Sequence, residues 1–499
     1  MHPNFPRKQA ESTQITTPEF FPREHRFPRS DFSRSIVKTR RMTIPTPRQL
    51  LTLCLLACTL TASAQTLARP GWVGSGMASD AWWRHAVFYR VNPAKFTDSS
   101  NLQGVAQHLD YIRSLGVDGL LLTPIQPDPT HAQAIDPALG TFDDLDDLIH
   151  EASRRNIRVL LDLPPGIPSA SLTNVARFWL NRGIAGFHVT DPPSVAHSQI
   201  ATLRAVTNSF LGQRIVISDL DLSTPLDTPA QSAARPRSRS PLHPSAEAQL
   251  TLDLRPGDPT QLTASAIRPA IDATQDVLQA AATLPLIASD SPSLPRSLSR
   301  YGDGQHDLAI AKILAAILLT TRADTLLLYG QELGLPSHNP LESEPHPALM
   351  PWGEAPKSSR TKSAPTPVAQ IQAGSTPSVP IQDADQTSLL NWYRQLSALR
   401  HGNATITNGV DVTLNHDDQN VLAWIRRSQN VSALTPAFVV LCNLSAQPVQ
   451  LDLKPDMERL HLRGSFLRTI LRTDNGRGPM HLESITLAPY AVYIGQIRY

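Results

Sequence analysis

Residues Arg182–Asp191 read RGIAGFHVTD, and this stretch carries the pattern on which the fold prediction depends. The apolar run Ile184–Val189 follows a glycine. It is followed by Thr190, an aspartate and two prolines. A short apolar run bounded by turn residues is typical of a buried strand. In barrels of parallel strands, the functional face is formed at the C-terminal ends of the strands. We therefore expect Thr190 to lie on such a face.

The same pattern recurs on both sides of this stretch, with helix-like segments between the runs. Runs that are apolar on both faces fit a parallel sheet covered by helices, and eight strands are the number that closes such a sheet. The sequence therefore predicts the α/β class, a (β/α)8 TIM barrel. The predicted strands are His85–Val91, Val117–Pro124, Ile157–Leu163, Ile184–Val189, Arg214–Leu220, Ala248–Leu254, Leu284–Ser289 and Thr325–Tyr329. Helical spacing predicts helices at Leu102–Leu115, Phe142–Arg155, Val175–Arg182 and Leu308–Thr321.

Composition divides the body of the chain into three parts. Residues 75–335 hold the predicted barrel, and the proline- and serine-rich residues 336–385 indicate a linker. Residues 386–499 begin with an amphipathic helix at Ser388–Arg400 and continue with alternating strand patterns. This alternation predicts a C-terminal antiparallel β-sandwich.

Charge is unevenly distributed along the chain. Residues 1–64 contain ten Lys and Arg against four Asp and Glu, whereas the remainder contains 35 against 39, a net charge of −4. A mildly acidic body gives no reason to expect a nucleic acid partner. The three cysteines lack the spacing of a metal site, and we find no glycine-rich phosphate loop, so the sequence predicts no cofactor.

The N-terminal region indicates export. Residues 1–41 are rich in Arg and Pro and are predicted to be a disordered basic extension, which leaves Met42 as an alternative start. Residues 42–64 combine a basic residue, a short apolar run and a small-x-small motif ending at Ala64, which predicts a signal peptide cleaved there. The mature chain would then be periplasmic or extracellular.

A second interpretation of the same region is a lipoprotein signal. Residues Leu55–Cys58 (LLAC) resemble a lipoprotein cleavage box. Cleavage there would tether the mature chain to a membrane through Cys58. The apolar run by itself is too short to span a bilayer comfortably.

Several motifs occur in a fixed order along the body. They are Trp82–Phe96, Ile135–Thr141, Pro295–Asp303, Leu328–Gly334 and Met350–Trp352. Together they resemble the α-amylase family, glycoside hydrolase family 13, and above all its α-glucosidase and oligo-glucosidase branch. The resemblance implies a barrel with a C-terminal β-sandwich and retaining chemistry on α-glucosidic bonds. That chemistry needs one ionised and one protonated carboxyl about 5–5.5 Å apart.

The motifs that carry catalysis in the family depart from its pattern here. The nucleophile motif Gly-Phe-Arg-x-Asp is represented by Gly186–Thr190, so that His188 replaces the arginine and Thr190 stands at the nucleophile position. A threonine without an activating base cannot readily form the glycosyl ester. Asp219 stands where the resemblance expects the acid/base glutamate and is one methylene shorter.

The remaining site motifs are also altered. The Asn-His-Asp motif falls on Ser291–Ser293, which leaves Asp290 as the nearest carboxylate. The third-strand motif keeps only its aspartate, Asp162. By resemblance, Asp162, His188 and Arg296 are the candidate sugar-binding residues.

A lid domain that family members insert after the third strand is missing as well. The helix that follows this strand is expected to start near Asn174, which leaves room for about ten residues and no domain. A calcium site usually shared with the lid loses its asparagine to Gly166, so we expect no metal.

Three functional hypotheses follow. The first is a degenerate family member that binds an α-glucan, another carbohydrate or a protein partner at the barrel face. The second is an active retaining α-glucosidase or transglucosidase that uses relocated carboxylates, Asp191 and Asp219, with Asp290 as a third candidate. The third is an extracellular interaction scaffold with no sugar ligand.

Overall fold

A computed structural model describes residues 81–190, 193–219, 248–254, 261–280, 283–292, 294–337, 349–353, 378–428 and 435–498. The predicted signal region, Cys58 and Asp191 lie outside the described residues. All described residues belong to one compact unit, Gly74–Tyr499. In the described part of the chain, no helix combines the length and the hydrophobicity needed to cross a bilayer.

Eight parallel strands in the described residues pair in chain order and close into a barrel, which confirms the predicted fold class. They are β1 Val87–Val91, β2 Gly119–Leu122, β3 Arg158–Asp162, β4 Gly186–Val189, β5 Ile215–Asp219, β6 Leu250–Asp253, β7 Leu284–Ile287 and β8 Asp324–Leu328. Side chains such as Phe88, Leu160 and Ile217 form one buried cluster inside the barrel. Because successive strand residues point to opposite faces, Arg90, Asp162 and Asp219 face the same way as these three.

Gly186 is required by the close approach of β4 to β5. A Cβ placed on Gly186 would lie 2.3 Å from the backbone oxygen of Ile215. No side chain fits at this distance, so the neighbouring strands can pair in their observed register only with glycine here. The pairing places His188 opposite Asp162 on β3 and opposite Ile217 on β5.

Helices surround the barrel, and two predicted helices differ from those observed. The predicted helix Leu102–Leu115 divides at His108, which has φ −106° and ψ 14° and packs its ring 3.9 Å from that of Trp352. The helix predicted over Val175–Arg182 begins earlier, at Ser169, immediately after Pro168. The helices span Pro93–Phe96, Leu102–Gln107, Leu109–Ser114, Phe142–Arg154, Ser169–Asn181, Pro193–Asn208, Ala264–Ala280, Ser297–Tyr301 and Asp307–Thr320, with 3-10 turns at Pro129–His131 and Gln331–Leu333.

The early helix start shortens the connection after β3 still further. Only the segment Leu163–Pro168 joins β3 to the next helix, so no lid domain is inserted there. The predicted start near Asn174 was wrong because the first helical turn, Ser169–Ser171, is small and polar and gives no apolar periodicity.

The C-terminal residues form antiparallel sheets. The described strands are β9 Val410–Leu414, β10 Val421–Arg427, β11 Phe438–Asn443, β12 Val449–Leu451, β13 Phe466–Arg472, β14 Met480–His481, β15 Ile485–Leu487 and β16 Val492–Arg498. Six of them pair in the order β14-β13-β16-β11-β10-β9, and β12 pairs with β15. The helices here span Val379–Ala384, Leu389–Gly402, Ala404–Asn408 and Lys454–Arg459. The first of them lies inside the predicted linker, where Gln382 is buried and donates to the carbonyl oxygen of Leu333 at 2.9 Å.

Arg400 connects the barrel to the helix that precedes the C-terminal sheets. Its guanidinium is fully buried and donates to four backbone carbonyl groups. These belong to His85, Leu319, Thr321 and Ala323, at 3.1, 3.2, 3.0 and 2.6 Å. His85 lies just before β1, Leu319 is in the last turn of the helix Asp307–Thr320, and Thr321 and Ala323 lie between that helix and β8. One side chain therefore joins three elements.

Candidate functional site

A polar layer lies above the apolar interior at the C-terminal ends of the barrel strands. It consists of Arg90 on β1, Asp162 on β3, His188 on β4 and Asp219 on β5. The first three side chains are almost completely buried, whereas the side chain of Asp219 is 45% exposed. Three of the four residues were predicted as site residues from the sequence, and the structure brings those three together.

His188 lies at the centre of this layer and contacts both carboxylates. Its Nδ1 is 2.6 Å from Oδ1 of Asp162, and its Nε2 is 3.0 Å from Oδ1 of Asp219. Arg90 donates from Nη2 to the other oxygen of Asp162. The result is a chain of alternating charge, from Arg90 through Asp162 and His188 to Asp219.

The charges in this network support one another. Burial lowers the pKa of His188, but the carboxylates of Asp219 and Asp162 outweigh burial and raise it to about 9. Burial raises the pKa of Asp162, but Arg90 and His188 outweigh that effect and hold it below its ordinary value. At neutral pH the layer therefore contains two cations and two anions and carries no net charge.

Among the described residues, Asp162 and Asp219 are not arranged as the pair of carboxyl groups that retaining glycoside hydrolysis requires. Such hydrolysis uses an ionised carboxylate on one side of the bond and a protonated carboxyl on the other. Here Asp162 and Asp219 both bind the same imidazolium ring. Thr190 follows the last residue of β4, is half-buried and supplies a hydroxyl at the nucleophile position.

The other two predicted site residues, Asp290 and Arg296, lie outside this network. Oδ1 of Asp290 accepts a hydrogen bond from the backbone N of Ser297 at 2.9 Å and lies 3.7 Å from Nη2 of Arg300. Arg296 donates from Nη1 to the carbonyl oxygen of Tyr329 at 2.9 Å. Both are buried, and the contacts described for them hold the loop after β7 in place.

Arg90 is the member of the network that sequence reasoning missed. Its signal was present, because a charged residue within a buried strand requires a partner of opposite charge. Asp162, the partner, is 72 positions away along the chain. Among the described residues, no group of three or more His, Cys, Asp and Glu side chains is arranged to hold a metal ion, and the absence of calcium stays a prediction.

Comparisons with known proteins agree with this architecture. The family described as the α-amylase catalytic domain matches residues 86–165. The amino acid transporter heavy chain SLC3A2 of Oryctolagus cuniculus is 26% identical over 373 residues, 69% of this chain and 64% of that protein. The trehalose-6-phosphate hydrolase of Escherichia coli K12 is 41% identical over 95 residues, 16% of this chain and 17% of the enzyme.

The chain is thus similar to the α-amylase family, most clearly over residues 86–165. Solved structures agree on its fold: the isomaltulose synthase of Klebsiella sp. LX3 gives a TM-score of 0.66 at 18% identity, over 84% of this chain and all of that one. In this family context, the substitutions at His188 and Thr190 and the short connection after β3 are departures from the pattern of the glucosidase branch. The chain thus keeps the family's scaffold while its barrel mouth holds a different set of side chains.

Proposed function

We propose that this chain is a non-hydrolytic member of the α-amylase family and that it acts as a binding subunit for a protein partner. The ion pairs of His188 carry the proposal, because they connect Asp162 and Asp219 to one imidazolium ring. Asp162 and His188 are at most 1% exposed, so neither side chain presents a surface to a sugar.

A protein partner is favoured over a sugar by the relatives that align over most of their length. SLC3A2 of Mus musculus is 24% identical over 82% of this chain and 77% of that protein, and it is named an amino acid transporter heavy chain. A heavy chain is one subunit of an assembly. The glucosidases and hydrolases align over much shorter stretches, such as 17% of the Bacillus cereus oligo-1,6-glucosidase. Those stretches belong to the barrel scaffold, which a protein can retain after it has lost glycoside hydrolysis.

The first test of the proposal is hydrolysis. We expect the purified full chain to turn over p-nitrophenyl α-glucoside, maltose and isomaltose at least about 10⁴-fold more slowly than the Bacillus cereus oligo-1,6-glucosidase, because the nucleophile position is a threonine. The measurement is initial rate at saturating substrate. Turnover that Asp219→Asn abolishes and Asp303→Asn leaves intact would instead establish the retaining glucosidase with relocated carboxylates.

The second test is assembly. The tagged full chain, cross-linked in its own cells, is expected to be recovered in a stoichiometric complex with an integral membrane transporter. A matched sample is passed through a gel containing soluble α-glucan. Retardation by the glucan without any complex would assign the barrel face to a carbohydrate. If neither the complex nor retardation is observed, the chain is a scaffold of another kind.

Export is part of the same proposal, because residues 42–64 have the pattern of a signal peptide. We expect the mature protein to begin at Gln65, as cleavage after Ala64 requires. N-terminal sequencing of the protein from its host checks this. A mature chain that begins at Cys58 and incorporates labelled palmitate would show the lipid-anchored alternative, and an intact N-terminus would refute export.

A further inference from the structure

A cavity of about 260 Å³ lies at the opposite end of the barrel from the polar layer. It is lined by Trp82, Asp118, Ser153, Asn156, Ile157 and Arg158. Asp118 immediately precedes β2 and Arg158 begins β3, so the cavity opens at the N-terminal ends of these strands. The function proposed above makes no use of this end of the molecule.

The two charged residues of the cavity are held by the barrel itself. The backbone N of Arg158 donates to the carbonyl oxygen of Asp118 at 2.9 Å, as part of the ladder between neighbouring strands. The guanidinium of Arg158 lies 5.0 Å from the centre of the Trp82 ring. Trp82 in turn donates from Nε1 to the carbonyl oxygen of Gln213 at 2.9 Å, which fixes the indole beneath the guanidinium. The guanidinium of Arg158 is therefore held in place on one side of the cavity.

The charge balance of the cavity favours an anion. Oδ2 of Asp118 accepts hydrogen bonds from the backbone N of Val87 at 2.9 Å and from Nε2 of His401 at 3.1 Å. The hydrogen bond to Asp118 raises the pKa of His401, so Asp118 already has a hydrogen-bond partner whose charged form it favours. Among the described residues, no carboxylate lies within ion-pair distance of Arg158. One positive charge is left for a ligand.

The rest of the lining is suited to hydroxyl groups. Ser153 and Asn156 are exposed and carry a hydroxyl and an amide, which both donate and accept hydrogen bonds. Asn156 holds a left-handed backbone with φ +59°, which turns the chain at the end of the helix Phe142–Arg154 and places the two polar side chains on the same rim. The volume lies below the roughly 300–1,000 Å³ of sites for drug-sized ligands, which restricts an occupant to about one sugar ring.

We propose that this cavity binds a polyhydroxylated carboxylate of monosaccharide size, such as a hexuronate. The carboxylate binds the guanidinium of Arg158, and the hydroxyls bind Ser153, Asn156 and the carboxylate of Asp118. Arg158 provides the fork geometry that carboxylates prefer.

The test is isothermal titration calorimetry of the full chain with D-glucuronate, D-glucose, acetate, inorganic phosphate and L-serine. D-Glucuronate is expected to bind at least about 10-fold more tightly than any of the others. The chemical shift of the Trp82 indole N–H, followed by NMR, locates the ligand beside that ring. Equal binding of acetate or phosphate would show a simple anion site, equal binding of L-serine would show a site for zwitterions, and no binding of D-glucuronate would end the proposal.

Variants separate the site from the rest of the molecule. Arg158→Gln is expected to weaken D-glucuronate binding at least about 10-fold, whereas Arg154→Gln, on the exposed side of the same helix end, leaves it unchanged. Ser153→Trp fills the rim at an exposed position and is expected to abolish binding with an unchanged melting temperature. Binding that survives both Arg158→Gln and Ser153→Trp would place the ligand elsewhere and overturn the assignment.

Discussion

Arg400→Met is expected to lower the free energy of unfolding by about 3–5 kcal/mol, because each buried carbonyl group left without a donor costs about 1–3 kcal/mol and relaxation recovers part of the sum. The substitution keeps most of the side-chain volume but removes every donor to the four carbonyl groups that Arg400 binds. Burial lowers the pKa of Arg400 to about 10, so the guanidinium is still charged at neutral pH. Urea unfolding followed by circular dichroism measures the change.

Two further variants make this expectation specific. Arg400→Lys keeps the charge but has a single donor atom, so it is expected to lose most of the same free energy. Arg463→Met removes an exposed arginine of the C-terminal region and is expected to change stability by less than about 0.5 kcal/mol. If the Arg400→Met and Arg463→Met variants have the same midpoint of urea unfolding, the hydrogen bonds of Arg400 do not stabilise the fold as we expect.

Asp162→Leu is the second substitution for which we expect a large loss, again about 3–5 kcal/mol, because it leaves two buried cations without their shared anion. Both Arg90 and His188 bind this carboxylate. The matched control is Asp219→Asn, which removes the other carboxylate from the same histidine. The side chain of Asp219 is 45% exposed, so water compensates for its loss and we expect a change of about 1 kcal/mol or less.

The same network predicts how stability depends on pH. The pKa of His188 is raised from 6.5 to about 9 in the folded protein, so its protonation stabilises the fold fully below pH 6.5. This contribution is lost as the pH rises towards 9. The difference in unfolding free energy between the wild type and His188→Gln is therefore expected to shrink over this window. An NMR titration of the His188 ring with a midpoint near or below 6.5 would contradict the ion-paired arrangement.

The sequence alone determined the barrel and its strands because the signal for a buried strand is local. Each run, such as Ile184–Val189, is mostly apolar and ends in turn residues, and eight such runs in succession leave few alternatives. The family resemblance and the substitution at Thr190 also follow from residue order along the chain. The start of the helix at Ser169 could not be predicted, since its first turn lacks apolar spacing.

Only the tertiary structure decided which side chains meet. Asp162 and His188 are 26 positions apart and Asp219 lies 31 beyond His188, so their contact depends on strand register around the barrel. The cavity at Trp82 depends on the same register, because it joins residues from three separate segments. Periodicity shows how one segment is buried and carries no information about the register between segments. The register places the predicted catalytic side chains against one another, where they form a neutral, internally paired layer.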